Sequence, residues 1–332
     1  MKEGFRKPAD SPSPVLGGVE VERPPEPVPL VFIGGSGRSG THVLAQLVSR
    51  HDQFGLVPVE VRFHTDPDGF PGLLAGEVTT QQFVERLRGF WWRGFQTSRM
   101  RGMYRFIDRD RFDAAVERFE GAHAGDLEAA CRALFFDLLG FRAGEGQGLV
   151  EQSTDSVARA ATLHRLFPEA RFIHVVRDGR DASASRVAQT RGLIAPRTRE
   201  QGIEWWEGRV EAIEEGAAAL PPELLLTVSL DELLRMRHAR AALRPIFRFL
   251  GVTPTKRTRR YFRNRMTREE ANVERWRRRV SATKADRIEA SYAQALERLE
   301  AAGARCAPLL RHTFERRDES VEPLVYVYDR GR

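Results

Sequence analysis

Cysteine is scarce in this chain: Cys131 and Cys306 stand far apart, with no Cys-x-x-Cys pair. That argues against a zinc ribbon or a disulfide framework and fits a reduced, cytoplasmic setting. Long apolar runs are missing as well. No stretch approaches the ~20 apolar residues of a membrane span. The first thirty residues hold no apolar core ahead of a cleavage site, so no signal peptide is expected. No internal repeat stands out. Lys and Arg are spread rather than gathered in one tail, and 53 of them face 46 acids for a net +7. That is a modest excess, and no nucleic-acid partner is expected. What the chain does have is bulk. Its 332 residues, 41% hydrophobic, suffice for one large α/β domain or at most two. Residues 1–27, rich in Pro, Glu, Ser and Gly, read as a disordered leader.

The chain is organised around Leu30-Val31-Phe32-Ile33 running into Gly34-Gly35-Ser36-Gly37-Arg38-Ser39-Gly40-Thr41-His42. An apolar run, a glycine cluster and a helical pattern (Val43, Leu44, Leu47, Val48) read as strand, tight loop and helix. Such a loop aims backbone N–H groups and the helix dipole at an anion. Glycines let the backbone crowd the ligand, and Ser39, Gly40 and Thr41 add donors without bulk. A nucleoside-triphosphate loop needs Lys after its last Gly and then a hydroxyl for Mg²⁺. Here Thr41 and His42 hold those places, and the cation, Arg38, comes two residues before Gly40. The plainer alternative is a glycine-rich turn with a solvated Arg.

A second strand is expected over Gly55–Val59, delivering Glu60, Arg62 and His64 in alternation, on one face of an extended chain. An acid, a guanidinium and an imidazole beside the loop offer a general base, Glu60 first and His64 second, with a cation to hold the transferred group. A surface Glu60–Arg62 ion pair with an ordinary polar His is the competing reading. After a turn-rich connection, residues 78–142 read as a helical insertion over the sheet. In it Phe90-Trp91-Trp92, with Phe95, Arg99, Arg101 and Arg105, are candidates either for an acceptor pocket or for core.

Gly148–Thr154 reads as a strand with a polar end (Glu151, Gln152, Ser153, Thr154). Phe172–Val176 is a buried strand stopping at the charged turn Arg177-Asp178-Gly179-Arg180-Asp181, with a helix beyond. Arg177 and Ser185 are candidates to meet at one phosphate. Asp178 or Asp181 is a candidate helix cap.

Together the glycine loop and the Arg177–Ser185 segment resemble the sulfotransferase superfamily, most closely its bacterial members and the tyrosylprotein sulfotransferase branch, over roughly residues 29–300. The loop from Gly34 to Thr41 is similar to the family's 5′-phosphosulfate loop, and Phe167 to Asp181 with Ser185 to its 3′-phosphate side. Glu60-Val61-Arg62 is similar to the acid-x-Arg triplet that supplies the base in the tyrosylprotein branch. Asn272-Val273-Glu274-Arg275-Trp276-Arg277 resembles the late cofactor-closing segment, which implies Arg275 and Trp276 near the nucleotide. Departures are Gln152, where many relatives carry Lys, and Ser229-Leu230-Asp231-Glu232-Leu233, which lacks the usual Tyr.

The resemblance implies an α/β, P-loop-like three-layer domain over residues 28–310, a central parallel sheet flanked by helices, followed by a charged tail over 311–332. It implies 3′-phosphoadenosine-5′-phosphosulfate as donor, 3′-phosphoadenosine-5′-phosphate as product, and in-line transfer to an acceptor hydroxyl without a metal ion. Donor-site candidates are Gly35, Ser36, Gly37, Arg38, Ser39, Gly40, Thr41, His42, Arg177, Ser185, Arg275 and Trp276. Catalytic candidates are Glu60, Arg38, Arg62 and His64. The rivals are a P-loop kinase of a small molecule and a non-catalytic nucleotide-binding module. The sequence leaves a small-molecule, carbohydrate or peptide acceptor, and a homodimer, equally open. Of the remaining segments, the helix carrying Trp206 is expected to face the core, the basic runs 256–265 and 275–279 to be solvated or to attract an anion, and Leu324–Tyr328 to form an edge strand.

Overall fold

Short runs of wholly buried apolar residues form the middle of the molecule, as the strands of a parallel sheet covered on both faces must. The computed structural model describes residues 29–94, 102–189, 195–278 and 280–315, and the backbone of 326–327. The expected leader 1–27, the residues Phe95, Arg99, Arg101 and Arg279, and most of the C-terminal tail lie outside the described residues.

The strands are β1 (Leu30–Gly35), β2 (Phe54–Leu56), β3 (Gly148–Glu151), β4 (Arg171–Val176), β5 (Leu225–Ser229) and β6 (Tyr326–Val327). They lie in the order β2-β3-β1-β4-β5-β6. The first five are parallel, and β6 runs antiparallel along the β5 edge. The period of two sorts the side chains cleanly. Leu30, Phe32, Leu149 and Phe172 pack on one face with the helices Arg109–Ala122, Leu127–Leu139 and Ala160–Leu166. Val31, Ile33, Val150 and Ile173 pack on the other with Thr41–Val48, Ala239–Phe249 and Lys256–Arg265. A third cluster joins the helix Gly179–Val187 to Arg199–Ala218, Ala282–Ala301 and Ala307–Glu315, with Trp206 buried in it as expected. The architecture is therefore the expected three-layer α/β domain. Among the described residues no helix is long and apolar enough to cross a membrane.

This strand order positions the site. The chain leaves β1 toward β2 and β3 on one side and returns to β4 on the other, so β1 is where the winding reverses. In open α/β sheets, the crevice at such a point, outside the carboxyl ends, receives ligands. Three strand ends meet there: the glycine loop after β1, Gln152 and Thr154 after β3, and Arg177 to Asp181 after β4. The glycines allow the crowding. A Cβ on Gly34 would lie 2.7 Å from the Val157 backbone nitrogen, and one on Gly35 only 2.6 Å from the Val175 carbonyl oxygen.

Candidate functional site

The loop between β1 and the helix Thr41–Val48 turns through three left-handed residues, Gly37 (φ 82°), Arg38 (φ 60°) and Gly40 (φ 99°). Arg38 is the costly one, because its Cβ crowds the following carbonyl in this region. It is held there from outside: the Arg38 Nε donates to Ser185 Oγ (2.9 Å), and its carbonyl accepts from Arg177 Nη1 (3.0 Å). The two anion clamps read separately in the sequence are thus joined. Ser185 pairs with Arg38 rather than with Arg177. Arg177 spends its Nη2 on the carbonyls of Ala271 and Asn272, while its buried Nε has no partner.

A cavity of about 620 Å³ opens in front of this loop. Of the expected site residues, Arg38, Gly40, Thr41 and His42 line it from the loop, Glu60 from the segment after β2, Arg177 and Ser185 from the β4 side, and Arg275 from the late segment. Gly35, Ser36, Gly37 and Ser39 do not. They build the turn from behind, with Gly35 N–H donating to the Thr154 carbonyl (2.9 Å) and the buried Ser39 Oγ left without a partner. Burial and the like charges of Arg177, Arg186 and Arg275 lower the Arg38 pKa, against which Glu60 pulls the other way. A cavity walled by four arginines (Arg38, Arg177, Arg265 and Arg275), with the Arg177 Nε unsatisfied, suits a ligand carrying more than one anionic group.

Glu60 lies on the same wall, partly buried. Burial pushes its carboxyl up to about 7, with Arg62 and Arg38 opposing and Glu151 and Asp66 assisting. A carboxyl poised there is half ionised near neutrality, which suits a general base.

The expected alternation beyond Glu60 fails. β2 ends at Leu56, and Arg62 takes a left-handed φ of 60°, which turns the chain before His64. Arg62 does not reach the cavity wall; it pairs with Asp66 (2.7 Å), whose other oxygen accepts from Trp91 Nε1 (2.9 Å). His64 is wholly buried between Phe32, Phe63 and Phe135, its Nε2 3.0 Å from Glu151 Oε2. It cannot meet an acceptor. Glu151 also accepts from the Ser153 and Ser156 hydroxyls. Burial alone would raise its carboxyl, but His64 and the Ser153 hydrogen bonds bring it below its usual value. This knot sits under the site, and the Ser153 Oγ accepts the Arg62 N–H (3.3 Å).

One further expectation is corrected, and two stated alternatives are resolved. Trp276 is 1% exposed in the third core cluster, away from the cavity, and carries Arg180 over its ring at 4.7 Å. The short helix Arg275–Arg277 turns Trp276 into that core and leaves Arg275 on the cavity wall. In the Phe90-Trp91-Trp92 run, Trp91 is core and none of the three lines the cavity. Asp178, not Asp181, caps the helix Gly179–Val187, accepting from Arg180 N–H (2.8 Å).

Gln46 and Tyr261, also on the cavity wall, escaped the sequence reading. His42 Nδ1 meets Gln152 Oε1 (2.9 Å) and its Nε2 meets the Gln46 amide nitrogen (2.7 Å), which can only donate. With that nitrogen donating, the ring Nε2 accepts and the Nδ1–H donates to Gln152. Gln46 Oε1 in turn accepts from Tyr261 (2.6 Å), and Gln152 donates to the Val57 carbonyl (3.2 Å). Gln152, the departure from the family Lys, is therefore a strut between the helix that follows the glycine loop and the segment that leads to Glu60. Gln46 was legible in principle, four residues after His42 and so on the same helix face.

A sequence model of the sulfotransferase family matches residues 29–257. Protein-tyrosine sulfotransferase 2 of Gallus gallus is 23% identical over 229 residues, 68% of this chain. The chain spans about half, 52%, of that relative's length. Among solved structures, the sulfotransferase domain of the Synechococcus PCC 7002 olefin synthase is 17% identical, with 82% of this chain and 98% of that domain aligned and a TM-score of 0.46. A sulfotransferase from Mycobacterium avium is 17% identical, with 82% of this chain and 77% of that one aligned and a TM-score of 0.42. The family model takes in the glycine loop, Glu60 and the Arg177–Ser185 turn, most of the wall just described, and the chain belongs to the sulfotransferase family.

Proposed function

We propose that this protein is a sulfotransferase that moves a sulfuryl group to an acceptor hydroxyl, with residues 28–310 as the transferase unit and 78–142 as a helical insertion in it. The observation that carries the reading is a single one: Arg38, Arg177, Ser185 and Glu60 line one cavity at the reversal point of the sheet. The residues present fit a doubly phosphorylated donor, since the unsatisfied Arg177 Nε and the cationic loop supply anion sites that the protein itself does not fill. 3′-Phosphoadenosine-5′-phosphosulfate would bring the sulfuryl group and an anionic leaving group, so the protein need supply no covalent intermediate.

The chain's own work is then threefold. Gly40, Thr41 and the loop N–H groups, with Arg38, hold the phosphosulfate end and neutralise charge that builds there. Such preorganised donors supply the largest share of catalysis in many enzymes. Arg177, Ser185 and Arg275 hold the other phosphate. Glu60 takes the acceptor proton on a carboxylate oxygen. Two free, buried cysteines fit a cytoplasmic setting.

The test is incubation of the purified protein with radiolabelled donor and host-cell extract, beside parallel arms with labelled ATP and Mg²⁺, each with and without EDTA. A sulfated product formed equally well in EDTA supports the reading. Phosphorylated product that EDTA abolishes would identify a kinase instead. Donor binding without transfer to any acceptor tried would favour a nucleotide-binding module.

A further inference from the structure

After the helix Lys256–Arg265 the chain crosses the cavity through residues 267–278, a stretch of turns with one short helical piece, Arg275–Arg277. Ala271, Asn272 and Arg275 face the cavity from it. Two of its residues, Asn272 (φ 54°) and Glu274 (φ 60°), sit in the left-handed region without being glycine. A backbone so disposed keeps its shape only where its surroundings over-determine it. What determines it lies across the cavity floor, on the turn after β4. Asp181 Oδ2 accepts the Glu274 N–H (2.7 Å) and Asp181 Oδ1 accepts the Trp276 N–H (3.1 Å). Arg177 Nη2 holds the carbonyls of Ala271 and Asn272 from the other side of the same turn. Charge-assisted bonds of this kind are the stronger sort.

Asp181 is well placed to act as a fixed post. It is 2% exposed and sits in the first turn of Gly179–Val187, a helix pinned by the Asp178 cap and by Arg180, which donates to Asp178. We propose that Asp181 is the latch that keeps the 271–276 segment closed over the cavity and so sets how long a bound nucleotide is retained. It acts through the segment's backbone, which makes it a positioning residue. The proposal rests on the nucleotide reading given above. The one turn serves both jobs: Arg177 ties the glycine loop, through the Arg38 carbonyl, to the closing segment, and Asp181 keeps that segment in reach of Arg177.

The latch also carries a pH signature. Facing Asp181 are Arg177 at the end of β4, Asp178 on its own turn, Asp231 on the helix Leu230–Arg235 and Arg199 at the start of Arg199–Ala218. Burial, with Asp178 and Asp231, pushes its carboxyl up to about 7, against Arg177 and the Trp276 N–H. Below neutrality the protonated carboxyl is a weaker acceptor, so the segment should release more readily as pH falls.

The experiment compares wild type with Asp181→Asn, whose amide oxygen can take only one of the two N–H bonds comfortably. Hydrogen–deuterium exchange of peptides covering 271–278 in the nucleotide-free protein is expected to speed up at least ten-fold in Asp181→Asn. Dissociation of 3′-phosphoadenosine-5′-phosphate should speed up by a similar factor and lose its dependence on pH between 6 and 8. Glu274→Gly keeps the N–H and removes the left-handed cost, so its exchange and release should be no faster than wild type. Unchanged exchange and release in Asp181→Asn, or faster release in Glu274→Gly, would overturn the latch. Failure of the wild type to bind 3′-phosphoadenosine-5′-phosphate would instead count against the nucleotide reading, and the exchange comparison in the empty protein tests the latch either way.

Discussion

At the level of single residues, the proposed roles of Glu60 and Arg38 each make a separate prediction. The Glu60 carboxyl stands at about 7 in the folded protein against an ordinary 4.5, chiefly through burial. A base with that value gives kcat an acidic limb near pH 7 and a plateau above it. Glu60→Gln should lower kcat by ~10²–10⁴-fold and erase the limb. The same shift has a stability consequence of opposite sign. A carboxyl whose folded pKa is raised favours the folded state fully below its unfolded value, and that contribution is lost as pH rises through about 7. Glu60→Gln should therefore flatten the fall in stability between pH 5 and 8 and leave the variant more stable at pH 8, by on the order of 2 kcal/mol. Thermal melts across that range check it; a variant less stable than wild type at pH 8 contradicts it. Arg38→Ala should cost ~10²–10³-fold in kcat, the cost of one preorganised donor, read by steady-state kinetics with the labelled donor. That both line the cavity was legible because their types and their spacing from the glycines are properties of the chain itself. Arg62 and His64 were misread for one physical reason. Alternation assigns faces only while the strand continues, and nothing in the local sequence announces a left-handed arginine at 62.

At the scale of elements, the site depends on how tightly strand ends and turns are stacked. Gly34 is the test position. Its Cβ would meet backbone atoms, Val157 N at 2.7 Å and Thr154 O at 3.1 Å, and backbone cannot step aside as a side-chain tip can. Gly34→Ala should destabilise the protein by ~1–3 kcal/mol, seen as a lower urea midpoint. Gly89→Ala, with nothing within 4 Å, is the control and should change little. The knot beneath the segment that carries Glu60 is a second case. Glu151→Ala would leave His64 and the Ser153 and Ser156 hydroxyls without their common partner in a closed apolar surround. Removal of one member of a buried pair costs ~3–5 kcal/mol, so this variant should unfold at markedly lower urea. Strands β1, β3 and β4 could be read from sequence because doubly covered strands are continuous apolar runs. The Glu151 knot could not, since His64 and the Arg62 N–H reach the 151–156 stretch from a distant segment that only the tertiary fold brings beside it. Trp276 fell to the same limit: sequence marked the segment but not which of its residues the short helix turns inward.

For the molecule as a whole, charge is distributed unevenly enough to affect how a ligand arrives. Residues 233–268 contain twelve Arg or Lys and no Asp or Glu. With a net charge of only +7 overall, the rest of the chain is net acidic. The basic stretch forms the two consecutive packed helices Ala239–Phe249 and Lys256–Arg265, and the second of these borders the cavity through Tyr261 and Arg265. A one-signed surface beside a cleft raises the local concentration of counter-charged ligand and speeds its capture by 10–10³-fold at low salt, an advantage that ions screen over ~10 Å at 0.1 M. A nucleotide with several negative charges is the kind of ligand such a field draws in. Arg260 and Arg263 are exposed on this face and off the cavity wall, so they separate attraction from binding contacts. The double charge reversal Arg260→Glu with Arg263→Glu should slow association of 3′-phosphoadenosine-5′-phosphate ~3–10-fold at 20 mM salt, leave its dissociation rate unchanged, and lose most of the difference at 0.5 M salt. Stopped-flow measurement of both rates at the two salt concentrations decides the matter: an effect confined to dissociation would mean that the face acts by contact, and no effect on either rate would mean that the field of this face does not reach the ligand.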